Sequence, residues 1–118
     1  MKGILVIAHG NREQDTVDVL DAIVSMAREK LPGTIIEWTF MGISGRTIEN
    51  GITELKNRGI AEIKIVPYFL FKGKHLKEDL PRIMAQCAAD FPEITITMGE
   101  HLGLDERLAD ILVDRIKN

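Results

Sequence analysis

The stretch Gly3-Ile4-Leu5-Val6-Ile7-Ala8-His9-Gly10 decides the fold. Its first six residues form an apolar run rich in β-branched side chains. A strand with one wet face would alternate apolar and polar residues; an unbroken run marks a strand buried on both faces. His9-Gly10-Asn11 breaks the run. Beyond it, Val17, Leu20, Val24, Ala27 and Leu31 recur three or four residues apart. That spacing predicts a helix over Asp15–Leu31 with one buried face, ended by Pro32-Gly33.

The same alternation continues along the chain. Thr34–Met41 reads as a second strand, and Gly42-Ile43-Ser44-Gly45 as a loop. Thr47 is placed to cap a helix carrying Ile48, Ile52 and Leu55, closed by Gly59. Glu62–Pro67 is a third strand, and Tyr68–Lys74 a loop with an apolar first half and a basic second half. Leu76–Phe91 predicts a third helix, with Leu80, Ile83, Met84, Cys87 and Phe91 on one stripe. Pro81 is tolerated only in a first turn, which sets the regular start near Asp79. Glu93–Met98 is a fourth strand. Asp105–Ile116 closes the chain as a helix expected to face inward through Leu108, Ile111, Leu112 and Ile116. The order βαβαβαβα predicts an α/β fold: a four-stranded parallel sheet, order 2-1-3-4, with helices on both faces. Ligands of such sheets bind beyond the carboxyl ends of the strands, here at the switch point between strands 1 and 3.

Composition narrows the function. The 118 residues predict a single domain, 1–118. Fifteen Lys and Arg against eighteen Asp and Glu give a net charge of -3, and aromatics make up 5%. Neither suits nucleic-acid binding. No apolar run approaches the ~18 residues of a membrane span and nothing resembles a signal peptide, so no membrane association is expected. The single Cys87 has no internal partner and sits in an apolar helical pattern, which fits a core role in a reducing compartment, the cytoplasm. There is no GxxxxGK[ST], GxGxxG, CxxC or HExxH, so no nucleotide cofactor is expected.

His9 follows strand 1, and His75 ends the loop after strand 3. Both fall on the rim that flanks the switch point. Neutral imidazole binds divalent first-row metals and serves as a base near pH 7. Each histidine alone is equally readable as an ordinary polar residue at a strand end. His101, after strand 4, belongs on the same rim but farther out, and a structural role is expected for it. Lys72, Lys74 and Lys77 surround His75, with Arg46 in the strand 2 loop and Arg12 after His9. Together they make a basic rim suited to a polyanionic ligand; singly, each reads as a solvated loop residue.

Three segments carry a family resemblance: Ile4–Arg12 (ILVIAHGNR), Val66–Pro81 (VPYFLFKGKHLKEDLP) and His101–Ile116 (HLGLDERLADILVDRI). They resemble the small class II chelatases of the CbiX type, the sirohydrochlorin cobaltochelatases with their ferrochelatase and nickelochelatase relatives. The resemblance implies a chelatase-like half-unit that inserts a divalent metal into sirohydrochlorin without ATP. The metal is substrate, Co²⁺ first, Fe²⁺ or Ni²⁺ as alternatives. It implies metal-binding and catalytic roles for His9 and His75, with His9 as proton acceptor. It also implies that Leu70, Phe71, Lys72, Gly73 and Lys74 lie beside the macrocycle, and that the chain works as a homodimer. Arg46 is a further candidate for a substrate carboxylate. One stretch departs from the family pattern: Gly42 and Gly45 stand where carboxylates are usual, and Arg46 replaces a proline. Two other readings stay open, a non-catalytic binder of metal or tetrapyrrole and a mannose-type phosphotransferase-system carrier phosphorylated on His9.

Overall fold

The computed structural model describes residues 2–10, 13–41 and 47–118, with His75 described through its backbone alone. The strands are β1 (Lys2–Ala8), β2 (Ile35–Phe40), β3 (Glu62–Pro67) and β4 (Thr95–Met98). They form one parallel sheet in the order β2-β1-β3-β4, as the alternation predicts. The helices are α1 (Gln14–Lys30), α2 (Ile48–Asn57), α3 (Leu80–Asp90) and α4 (Glu106–Lys117).

β1 lies between two strands, and side chains leaving its two faces enter different cores. Leu5 and Ile7 join Ile63 and Ile65 of β3 under α2 and α3, where Ile52, Leu55, Leu80 and Cys87 are buried. Ile4, Val6 and Ala8 turn to the other face, where Leu20 and Val24 of α1 meet Ile36, Trp38 and Phe40 of β2. Trp38 Nε1 donates to Asp21 Oδ1 at 3.0 Å, tying β2 to α1. Arg28 donates twice to the carbonyl of Ile36, at 3.0 and 2.7 Å, satisfying a group on the outermost strand. Burial pushes the Cys87 thiol up to about 11, helped by the charges of Glu49 and Asp90. At neutral pH it is a protonated core residue and not a nucleophile.

Several local signals hold. Thr47 Oγ1 accepts from the backbone N–H of Asn50 at 3.2 Å, the N-cap expected of it. Gly59, at φ +85°, closes α2 in a conformation that suits glycine. The third helix differs in detail from the continuous one predicted over Leu76–Phe91. His75–Asp79 forms a π-helical turn, and regular α-helix begins at Leu80. Pro81 has no N–H to give the carbonyl of Lys77, so the i→i−4 ladder is interrupted where the turn widens. β4 is shorter than the predicted Glu93–Met98, because Ile94 N–H donates to Phe91 O at 3.0 Å and spends Glu93 and Ile94 on a turn.

The larger correction concerns α4. Its spacing predicts Leu108, Ile111, Leu112 and Ile116 facing in, yet none of its residues is buried. Ile111, Leu112 and Ile116 are 51%, 61% and 74% exposed. The helix starts well, since Asp105 caps it by accepting from Arg107 N–H at 2.9 Å. Only Leu108 of it is half-buried, and Thr95 and Thr97 on the sheet face shared with α1 stay exposed. The Cα radius of gyration of 14.8 Å exceeds the ~13.5 Å of a compact chain this long, consistent with a projecting helix. Periodicity fixes that a helix has an apolar face, not which surface covers it.

Gly51 of α2 marks the tightest helix–sheet approach. A Cβ there would stand 2.6 Å from Thr39 Cγ2 and 2.8 Å from Leu5 Cδ1, both on buried residues. Alanine normally favours a helix over glycine by about 1 kcal/mol. Here the expected result is the reverse: Gly51→Ala lowers stability by about 1–3 kcal/mol through overpacking. Urea unfolding would show a lower midpoint at unchanged slope.

Candidate active site

The carboxyl ends of β1, β2 and β3 are tied together by backbone hydrogen bonds. Met41 N–H donates to Ala8 O at 2.9 Å, and Tyr68 N–H to Ile7 O at 2.7 Å. The chain leaving β1 is thereby held between the segments leaving β2 and β3, and His9 is the first residue beyond that clamp. Gly10, which follows, packs against Phe40: a Cβ on it would meet Phe40 Cβ and Cγ at 2.6 Å. His9 Nδ1 lies 3.3 Å from Gly10 O. A carbonyl only accepts, so this contact favours the tautomer protonated at Nδ1, which puts the ring lone pair on Nε2.

His9 borders two cavities. One, of about 360 Å³, is walled by Tyr68, Phe69, Leu70, Phe71, Gly73 and Leu76. Its lining is almost wholly apolar, and its outer lip is Leu70, 49% exposed, and Phe71, 81% exposed. The other, of about 340 Å³, lies toward α1, with Asp15, Thr16, Phe40 and Tyr68 on its walls. The loop after β3 ends where Gly73 O accepts from Leu76 N–H at 3.1 Å and Lys77 N–H at 3.0 Å. His75 opens the π-helical turn at that point.

The residues proposed from sequence are thus partly gathered. Leu70, Phe71 and Gly73 share the apolar cavity with His9. Lys72 faces the other way, lining a larger cavity beside β4, and Lys74 is exposed and borders neither. The loop bends at Leu70 and Phe71, and the apolar residues up to that bend line a different cavity from Lys72. The backbone of His75 lies at the end of the same loop, while its side chain lies outside the described residues, as do Arg12, Gly42, Gly45 and Arg46. His101 is half-buried on the Lys72 side, away from the His9 cavity. Asp15, Thr16 and Tyr68 were not singled out from sequence. Their signal is position alone: two open α1 just past the His9 loop, and Tyr68 directly follows β3. No group of three or more potential metal ligands occurs among the described residues.

With this geometry in place, comparison with known proteins is decisive. The CbiX family profile matches residues 3–118. The chain belongs to the CbiX family. A sirohydrochlorin ferrochelatase of Priestia megaterium is 33% identical over 116 residues, which are 98% of this chain and 44% of that protein. A sirohydrochlorin cobaltochelatase of Methanococcoides burtonii is 32% identical, over 96% of this chain and 92% of that protein. Among solved structures, the sirohydrochlorin chelatase SirB from Bacillus subtilis subspecies spizizenii in complex with cobalt superposes with a TM-score of 0.89. It is 28% identical, and the match covers 98% of this chain and 50% of that one. The chain therefore spans about half the length of several CbiX relatives and nearly the whole of others.

The Gly10–Phe40 contact generates a test of how His9 is held. Gly10→Ala is expected to cost about 1–3 kcal/mol, because two backbones must separate. In two-dimensional NMR spectra the imidazole signals of His9 should shift while those of His101 stay in place.

Proposed function

We propose that this chain inserts a divalent metal into sirohydrochlorin without ATP, with Co²⁺ the first choice of metal and Fe²⁺ or Ni²⁺ the alternatives. The observation that carries the reading is His9 on the edge of a cavity walled by Tyr68, Phe69, Leu70 and Phe71. A flat, largely apolar macrocycle needs such a wall, and an incoming ion needs a ligand that binds without trapping it. The names of the CbiX relatives support the substrate; both iron and cobalt occur among them, and metal choice follows availability as much as ligand type.

In this reading His9 and His75 replace water on the ion. His9, with its lone pair on Nε2, accepts a pyrrole proton as the ion enters the ring. The second pyrrole proton passes to solvent or buffer. Leu70, Phe71 and Gly73 present apolar surface to the macrocycle. Lys72, Lys74 and Arg46 meet its carboxylate arms, and the free Cys87 suits a cytoplasmic setting. A second reading, binding without turnover, is favoured by Gly42 and Gly45 standing where the family pattern has carboxylates.

The assay mixes protein, sirohydrochlorin and metal without oxygen and follows the absorption spectrum against the spontaneous reaction. Accelerated metallation is expected. His9→Ala and His75→Ala should each slow insertion by roughly 10²-fold or more with the far-ultraviolet circular dichroism unchanged. Full activity in both would remove the site assignment, and a saturable spectral shift without metallation would establish the binder.

We also propose that the working unit is a homodimer. The exposed stripe of Ile111, Leu112 and Ile116 on α4, with Leu104 fully exposed before it, is apolar surface that a second copy would cover. The double length of several relatives supports a second copy as the occupant. Sedimentation is expected to give twice the 13.2 kDa chain mass. Ile116→Glu with Leu112→Glu should yield a folded monomer; an unchanged mass would exclude this face.

A further inference from the structure

Several described cations elsewhere on the surface are paired. Arg28 and Arg58 reach Glu37, Lys56 reaches Glu93, Arg82 reaches Asp79, and Arg107 reaches Asp105. No carboxylate among the described residues pairs with Lys72 or Lys77, and their place sets them apart from the other unpaired lysines. Both line the largest of the cavities at the strand ends, about 620 Å³, between the loops that follow β3 and β4.

That cavity is built from constrained backbone. Gly99 N–H donates to Ile65 O at 2.7 Å and Gly103 N–H to Phe69 O at 3.3 Å, stitching one loop to the other. The carbonyl of Gly73 accepts from Lys77 N–H at 3.0 Å, which sets the start of the Lys77 side chain against the β3 loop. Gly103 has φ +56°, and a Cβ there would meet His101 Nε2 at 2.9 Å. A larger residue would push the imidazole off this wall. Two ammonium groups and an imidazole thus share the lining with one carboxylate, Glu100. Leu76 borders both this cavity and the apolar one beside His9, so the two are neighbours across the β3 loop.

We propose that the Lys72–Lys77–His101 cavity is an anion subsite that takes a carboxylate arm of the tetrapyrrole whose ring lies against the His9 cavity. The inference rests on the chelatase reading for its ligand and adds Lys77 and His101 to the residues that hold it. A ring anchored by an arm on one side of the β3 loop is fixed in rotation about its own axis, which apolar contact alone does not achieve. Glu100 then acts against binding, as a like charge at the mouth that limits how tightly product is retained.

The test is a fluorescence titration of metal-free sirohydrochlorin, and separately of its methyl ester, into the full chain and its variants without oxygen. Lys77→Ala should raise the Kd for the free acid about tenfold, the size expected for one charge-assisted contact. It should leave the ester unchanged, and Lys77→Arg should restore most of the affinity. Glu100→Gln should tighten the acid and not the ester. Free phosphate at millimolar concentration should compete with the acid only weakly; competition as strong as that of the macrocycle itself would show a generic anion site and overturn the assignment. An unchanged Kd in Lys77→Ala, or equal losses for acid and ester, would also overturn it. The outcomes separate the two claims. Wild-type protein that binds the macrocycle without metallating it ends the chelatase reading and leaves the subsite to be judged by the Kd ratio. Wild-type protein that binds no macrocycle ends both.

Discussion

Everything at the active edge depends on how β1 is held. It pairs with β2 on one side and β3 on the other, so its backbone is hydrogen-bonded along both edges. Two further bonds, Met41 N–H to Ala8 O and Tyr68 N–H to Ile7 O, come from residues already leaving their own strands. They bind three chain segments at one point and leave His9 at its tip. Because β1 is buried on both faces, neither core can relax without moving that point.

The rim built on this clamp is chemically divided by a single loop. From Tyr68 to Lys77 the chain offers aromatic and aliphatic surface to the His9 side and Lys72 and Lys77 to the β4 side. The protein as a whole carries a net charge of -3, yet Lys72, Lys74 and Lys77 fall within six residues of one another here. Such local excess matters more for an anionic ligand than the net charge, since screening at physiological salt confines the field to ~8 Å. A macrocycle with an apolar ring and charged arms matches both sides of the division. In the proposed reading the ion and the ring share the His9 side, and the carboxylate arms take the β4 side.

The fourth helix shows the limit of the half-unit. α1 covers one face of the sheet and α2 with α3 the other, but α4 leaves the sheet with its apolar stripe uncovered. Its own termini are in order: Arg107 holds the Asp105 carboxyl well below the usual range, which keeps the N-cap charged. The helix is therefore locally complete and lacks only a surface to pack on. The matched SirB chain is about twice as long, the match covering 50% of it.

Much of this was legible in the sequence. The run Gly3–Ala8, the period of three to four in the helices and the βα alternation determined the sheet, its order and the edge that carries the site, because burial pattern and crossover handedness leave few topologies. Local chemistry was equally readable: Thr47 caps, Gly59 terminates, and Pro81 delays α3. The motif from Val66 to Pro81 carried the family. What sequence did not reveal depended on directions and neighbours. Whether Lys72 shares a wall with Phe71 follows from how the β3 loop is pinned by Ile7 and Gly103, far apart in the chain. That Lys77 and His101 line one cavity follows from the β3–β4 pairing. That α4 faces away from the sheet follows from packing alone: periodicity records that an apolar face exists, and only the tertiary structure decides what, if anything, lies against it.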